Sequence, residues 1–484
     1  LLVVSTSFAQ EDRLARIYEE ARAAEAAGDY KMATHRYETL AQSNPGIAEI
    51  HANLGNLYYA QNLHDKAKAA CLRAIRLKPA LAVPHVLLGI ISFHRREYPA
   101  AKEMLRKAAQ LDKTNPLIPL YLGYTHHALS DYSSAAQFLQ AVVEADRSHL
   151  DAWYHLSKAH SQVSKRFFDR LQTAHKDSPY THLARSHFFE AGASWEQAKE
   201  ELARALELAG TPEAWKPAIT KRIAWLGARK PGEAAEPPPV GPEETMGSTT
   251  YLHAPPDGIR VIEAYQEEAR KVRTPDGTMD LPSRDLFIMA EAHQAMSYLA
   301  ALWVLQTGSG THRAHQLQGQ FHEAAGQLDE AIAEYHKAVA LKPDLPTVHF
   351  AIGSIHWRRN HMEEALVELK KELAINPADA QAHYETGDIY LVQNKPDLAE
   401  KHLKLAIQHA PNMAEAHLAL ERTATARNDD RQALAHLRAA AKLSPDDATA
   451  HYRLWLLLRK LGRTAEAEQE RKLFERLREN KRAP

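Results

Sequence analysis

The sequence predicts an all-α protein, a solenoid of antiparallel helix pairs arranged as two lobes joined by a proline-rich linker. Prolines 45 and 79 stand 34 residues apart, as do prolines 343, 377, 411 and 445 in succession. Counted from these prolines, one series of small residues falls in register: Ala21, Gly55, Gly89 and Gly123, then Gly319, Gly353 and Gly387. A second series keeps the same spacing: Ala33, Ala67, Ala101 and Ala135, then Ala331, Ala365, Ala399 and Ala433. A period of this length marks a repeat array, in which each unit buries its apolar face against the next.

Each part of the repeat has a mechanical role. Gly or Ala in mid-helix lets two antiparallel helices approach closely. Turn signals sit between the helices, as in Gly28-Asp29-Tyr30, Ser130-Asp131-Tyr132, Gly326-Gln327-Leu328 and Asn428-Asp429-Asp430. Large residues such as Tyr37, Leu105, Leu139, Tyr335, Leu369 and Leu403 fill the space between helices. The closing proline stops the second helix because it cannot continue the hydrogen-bond ladder.

This pattern resembles the tetratricopeptide repeat. Repeats run over 14–47, 48–81, 82–115 and 116–149, then 312–345, 346–379, 380–413, 414–447 and a terminal 448–479. The resemblance implies a right-handed superhelix with first helices on its concave surface, and protein or peptide partners. It implies no cofactor and no catalytic residue.

Two irregular stretches add to the plan. Residues 150–178 read as a shortened repeat that keeps Trp153, Leu156, Ser157 and His160, followed by a full-length one at 179–212. A shift of 133 residues carries His160 onto His293, His182 onto His315 and Ala198 onto Ala331. A shortened unit at 283–311 therefore feeds 312–345, and the pair reads as a duplication. The N-terminal lobe is 14–228 and the C-terminal lobe 283–484. Between them lie a linker at 229–257, carrying Pro237-Pro238-Pro239, and an irregular helical connector at 258–282. Residues 213–228 and 464–480 are expected to cap exposed ends.

Composition excludes some functions. Lys plus Arg is 60 against 61 for Asp plus Glu, so no chain-wide cationic surplus favours nucleic acid. No stretch reaches the ~20 apolar residues of a membrane span. Cys71 is the only cysteine, so no internal disulfide forms. Residues 1–9 resemble the tail of a secretory signal with small residues placed for cleavage after Ala9, which predicts export to a periplasmic or extracellular location.

The 28 histidines raise the question of metal. His51, His85, His315, His349, His383, His417 and His451 share the fourth repeat position, and His126, His160, His322 and His356 the eleventh. Periodic placement points to a repeated packing environment, whereas a metal site needs three or four converging ligands. Thr307 to Thr311 lacks the Lys of a phosphate loop and reads as a turn.

By the same resemblance, partners dock on the first helices. The candidate groove residues are Val86, Ile90, Phe93, Leu120, Tyr121, Tyr124, Tyr154, Phe350, Trp357, Tyr384 and Tyr452. Against this stands packing of the same rings between neighbouring first helices. Ala52 occupies the place of the lysine in the family's carboxylate clamp, and Lys158 stands alone, so a chaperone-tail receptor is not supported. The leading expectation is an exported, non-enzymatic scaffold for proteins or extended peptides. The alternatives are an enzyme or carbohydrate-binding protein using 213–282, and self-association through solenoid ends.

Overall fold

The computed structural model describes residues 2–191, 194–228 and 281–480, apart from the side chains of 2–12, 191, 214 and 480. The linker at 229–257 falls outside these, as does the connector at 258–282 except for its last two residues. The same holds for most of the segment on which the alternative enzymatic reading rests. Among the described residues there are 23 α-helices and one short 3-10 helix, Glu213–Trp215. Two compact units divide the chain, Leu1–Gly308 and Ser309–Pro484.

The first unit opens with four helix pairs. They are α1 (Leu2–Ala26) with α2 (Tyr30–Ser43), and α3 (Ala48–Ala60) with α4 (His64–Leu77). Next come α5 (Ala82–His94) with α6 (Tyr98–Leu111), and α7 (Leu117–Ala128) with α8 (Tyr132–Ala145). Beyond them lie α9 (Leu150–Ala174), α10 (Pro179–Ala191), α11 (Trp195–Glu207), α12 (Lys216–Gly227) and α13 (Ser283–Thr307). The second unit holds five pairs. These are α14 (His312–Ala324) with α15 (Leu328–Leu341), α16 (Val348–Arg358) with α17 (Met362–Ile375), and α18 (Ala380–Val392) with α19 (Pro396–His409). The last two are α20 (Ala414–Ala426) with α21 (Asp430–Leu443), and α22 (Ala448–Lys460) with α23 (Thr464–Asn480).

The turn inside each pair is built the same way. Gly28, Asn62, Arg96 and Ser130 in the first unit, and Gly326, Asn360, Asn394, Asn428 and Gly462 in the second, all adopt positive φ of 54–77°. The following N–H reaches five residues back, from Asp29 to the Ala24 carbonyl and from Leu63 to that of Tyr58. A left-handed residue after a helix closes carbonyls that would otherwise stay open. Asp29, Asp131 and Asp429 then accept an N–H from the first turn of the second helix.

Helix contact depends on the missing side chain. A Cβ on Gly89, Gly123 or Gly387 would come within 2.6–2.7 Å of the leucine opposite, Leu105, Leu139 or Leu403. On Gly55 it would meet the Cys71 sulfur at 2.5 Å, and on Gly319 the Tyr335 ring at 2.5 Å. Cys71 is thus a packing residue, and burial pushes its thiol up to about 12.

The shortened repeats differ from the sequence reading. Residues 150–174 and 283–307 are not helix–turn–helix units; each is one continuous 25-residue helix. The turn position of the repeat falls on Ser164 in one and Ser297 in the other, and neither breaks the helix there, although Ser130 turns at the same position. Instead the apolar stripe Leu156, Val163, Phe167 and Leu171 continues through and is buried. Helices α9 and α13 pack on each other antiparallel. Ser157 meets Ser297, His160 meets His293, and Ser164 donates to the Ala290 carbonyl. The first compact unit therefore takes in α13, which the sequence reading groups with the second lobe. Around this pair lies a core of Phe167, Tyr180, Leu202, Trp215, Ile219 and Phe287. Helix α12 covers it and carries a buried Arg222–Glu190 ion pair.

Candidate functional site

The eleven candidate groove residues separate by depth. Val86, Ile90, Leu120 and Tyr154 are buried; Val86 and Ile90 pack with Leu105, Ala108, Ile118 and Leu122. Their side chains serve the interior rather than an open face, because the next first helix lies over them. Phe93, Tyr121 and Tyr124 are only half-buried. Their rings contact one another, with centroids 5.6–6.0 Å apart, at edge or tilted angles. Tyr124 continues to His155 at 4.6 Å, so α5, α7 and α9 share one aromatic surface. Tyr121 has its phenol raised by burial, with Tyr59 adding to the effect.

Lys158 lies at the edge of this surface, its Nζ 5.6 Å from the Tyr154 ring centre. Burial lowers its ammonium to about 8. His127 is lowered first by burial and then by Lys158. The patch therefore combines apolar rings with a cation whose charge water screens poorly, a combination suited to a peptide carrying both apolar and anionic groups.

The second unit presents a different surface. Phe350, Trp357 and Tyr384 are half-buried against the core of α17, α18 and α19. The Trp357 indole donates to Asp388 at 3.3 Å, and Asp388 also accepts from Arg422 at 2.8 Å. Ser354 donates to Glu385 at 3.1 Å, and burial raises Glu385 to about 7. Arg453 pairs with Glu421 at 2.5 Å. Polar links thus join α16 to α18, α18 to α20, and α20 to α22, where the first unit uses aromatic contact. Tyr452 stays 40% exposed and rests on Trp455 and Phe474. Charged partners at these positions were not foreseen from the sequence. Their only signal is that Glu385, Asp388, Glu421, Arg422 and Arg453 fall on first helices.

The periodic histidines have identifiable partners. Those at 51, 85, 383 and 451 place Nε2 at 3.0–3.1 Å from the carbonyls of Pro45, Pro79, Pro377 and Pro445. A carbonyl only accepts, so Nε2 must carry the hydrogen. In His383 and His451 the Nδ1 faces the residue nineteen places on. For His451 this is Glu470 at 2.6 Å; for His383 it is His402 at 3.1 Å. His383 Nδ1 accepts from His402 Nδ1–H, and burial together with His383 lowers His402 to about 4. Among the described residues, no three His, Cys, Asp or Glu gather as metal ligands would. No described helix is long and apolar enough to cross a membrane.

Comparison with known proteins adds the family. Sequence models described as tetratricopeptide repeat match residues 18–82, 350–414 and 93–160, and one described as TPR repeat matches 323–360. No curated protein matches the chain. Among solved structures, that of MamA is 21% identical, with a TM-score of 0.32 over 34% of this chain and 95% of that one. YrrB, described as a TPR protein with an unusual peptide-binding site, is 19% identical, with a TM-score of 0.31 over 34% and 84%. The APC/C hetero-tetramer Cut9-Hcn1 is 13% identical, with a TM-score of 0.34 over 96% and 93%. With the period, the paired helices and the matched sequence models in agreement, the chain is a tetratricopeptide-repeat protein.

Proposed function

We propose that this protein is a non-catalytic scaffold that binds a protein or extended peptide on the first helices of its repeats. The observation that carries the proposal is the half-buried surface of Phe93, Tyr121, Tyr124 and His155, with Lys158 beside it. Covering contiguous rings left partly open to water is favourable, such patches mark interaction sites, and aromatic anchors dominate binding energy at interfaces. Each array winds in the right-handed sense that its family implies. Export is proposed on the apolar and small residues of 1–9, and N-terminal sequencing of the secreted protein tests it by cleavage after Ala9.

The binding test is a screen of immobilised peptides against the whole chain. Peptides that bind the wild type should lose about tenfold or more in affinity with Tyr121→Ala plus Tyr124→Ala. Retained affinity for every selected peptide would remove this surface from consideration.

A further inference from the structure

Residues 64–113 contain eleven Lys and Arg against four Asp and Glu, in a chain whose overall charge is -1. The excess lies on two consecutive second helices. On α6, Lys102, Glu103, Arg106, Lys107 and Gln110 follow the three-and-four spacing of one helix face. Together with His85, Pro99 and Met104 they line an open cavity of about 640 Å³. On α4, Lys66, Arg73 and Arg76 form a similar stripe. The neighbouring second helix α8 has neither Lys nor Arg.

On α15, α17 and α19 acidic residues equal or outnumber the basic ones, and some of the cations are paired locally. Lys337 pairs with Glu334, Lys371 with Glu368 and Lys404 with Glu400. Among the described residues, Lys102, Arg106, Lys107, Lys113, Lys66 and Arg76 form no ion pair. Arg106 and Lys107 are exposed and Lys102 is half-exposed. Like charges held side by side on a helix repel, so an anionic partner gains both attraction and relief of that repulsion.

We infer that the second-helix face of α4 and α6 is a docking surface for an acidic segment of a partner polypeptide, separate from the first-helix surface. Its carboxylates meet Lys102, Arg106 and Lys107, with Lys66 and Arg76 extending the contact on α4. Two features favour a polypeptide over other polyanions. Glu103 stands within the stripe, where a dense row of phosphates would be repelled but a peptide can place a neutral or basic residue. The large apolar side chains on this face, Met104 in the cavity lining and Leu72 exposed on α4, are too few to form the continuous apolar face that inserts among lipids.

The test uses the whole chain and a fluorescein-labelled peptide of alternating Glu and Ala, followed by anisotropy at several salt concentrations. Binding should weaken as salt rises. The K102E/R106E/K107E variant should lose about tenfold or more in affinity. The K370E/K401E/K442E variant, which makes the same change in net charge on the second unit, should bind as the wild type does. If the first variant melts differently by circular dichroism, Lys102→Gln plus Lys107→Gln replaces it, with a smaller loss expected. Equal losses in both triple variants would show a general charge effect and overturn the proposal. So would anionic vesicles or an oligonucleotide binding more tightly than the peptide through these same residues, or a concentration-dependent dimer in light scattering abolished by K102E/R106E/K107E.

Discussion

His160 and His293 face each other Nδ1 to Nδ1 at 2.8 Å, 133 residues apart in sequence and equivalent in the two copies of the duplicated unit. Because α9 and α13 run antiparallel, this contact lies on a local pseudo-twofold. The Ser157–Ser297 contact on one side answers the Ser164–Ala290 bond on the other. The two long helices therefore cover each other as symmetry-related partners would. That explains why neither needs a second helix of its own.

This pair predicts a response to acid. Burial, with His293 adding its charge, lowers His160 to about 3, and burial lowers His293 to about 4. Both values lie below the unfolded value of about 6.5, so the folded state favours the neutral rings. Their contribution to stability is complete above pH 6.5 and is lost as pH falls towards 4. Urea midpoints measured between pH 7.5 and 4.5 should fall, by an amount equivalent to roughly 1–3 kcal/mol. His160→Leu plus His293→Leu should flatten that dependence; an unchanged slope would assign the acid sensitivity to other groups.

Glycine position should decide the sign of a substitution. Gly123→Ala places a methyl 2.7 Å from Leu139 and should cost about 1–3 kcal/mol, despite the helix preference of alanine. Gly227→Ala meets nothing within 4 Å and should be neutral or stabilise by up to about 1 kcal/mol. Thermal melts of both variants check this. Combining Gly123→Ala with Leu139→Ala should cost less than the sum of the two.

The turn between α5 and α6 holds Arg96 at φ 61°, where its counterparts are often glycine or asparagine. A side chain there costs roughly 1 kcal/mol. Arg96→Gly should therefore raise the denaturation midpoint by about 0.5–1 kcal/mol of stability, and Arg96→Val should lower it. Equal midpoints would mean that the turn relaxes without cost.

Glu372 on α17 is fully buried and accepts the N–H groups of Thr347 and Phe350 at 2.9–3.3 Å, so it caps the start of α16. Removing it takes the acceptor from both N–H groups and empties a fully buried position. Glu372→Ala should cost about 1–3 kcal/mol, and Glu372→Gln, which keeps one acceptor, should cost less. Hydrogen exchange at Thr347 and Phe350 should quicken in the alanine variant.

The repeat, its turns and its crossing points were legible in the sequence because each is set by local chemistry at fixed spacing. A missing side chain opens the crossing, a left-handed residue turns the chain, and a proline two residues past the helix ends it. Periodic histidines could likewise be read as structural, although their bonds to proline carbonyls could not. The exposure of Phe93, Tyr121 and Tyr124, against the burial of Val86, Ile90, Leu120 and Tyr154, was not legible. It depends on how far the next first helix reaches across, and residue type does not report that distance.

The chain's order of residues therefore determined the helical repeat and its 34-residue period, since both arise from contacts within about one repeat. Tertiary structure alone decided that 150–174 and 283–307 are single helices joined face to face. An apolar stripe continues a helix only if something distant covers it, and here the cover comes from 133 residues away in the other copy of the same unit.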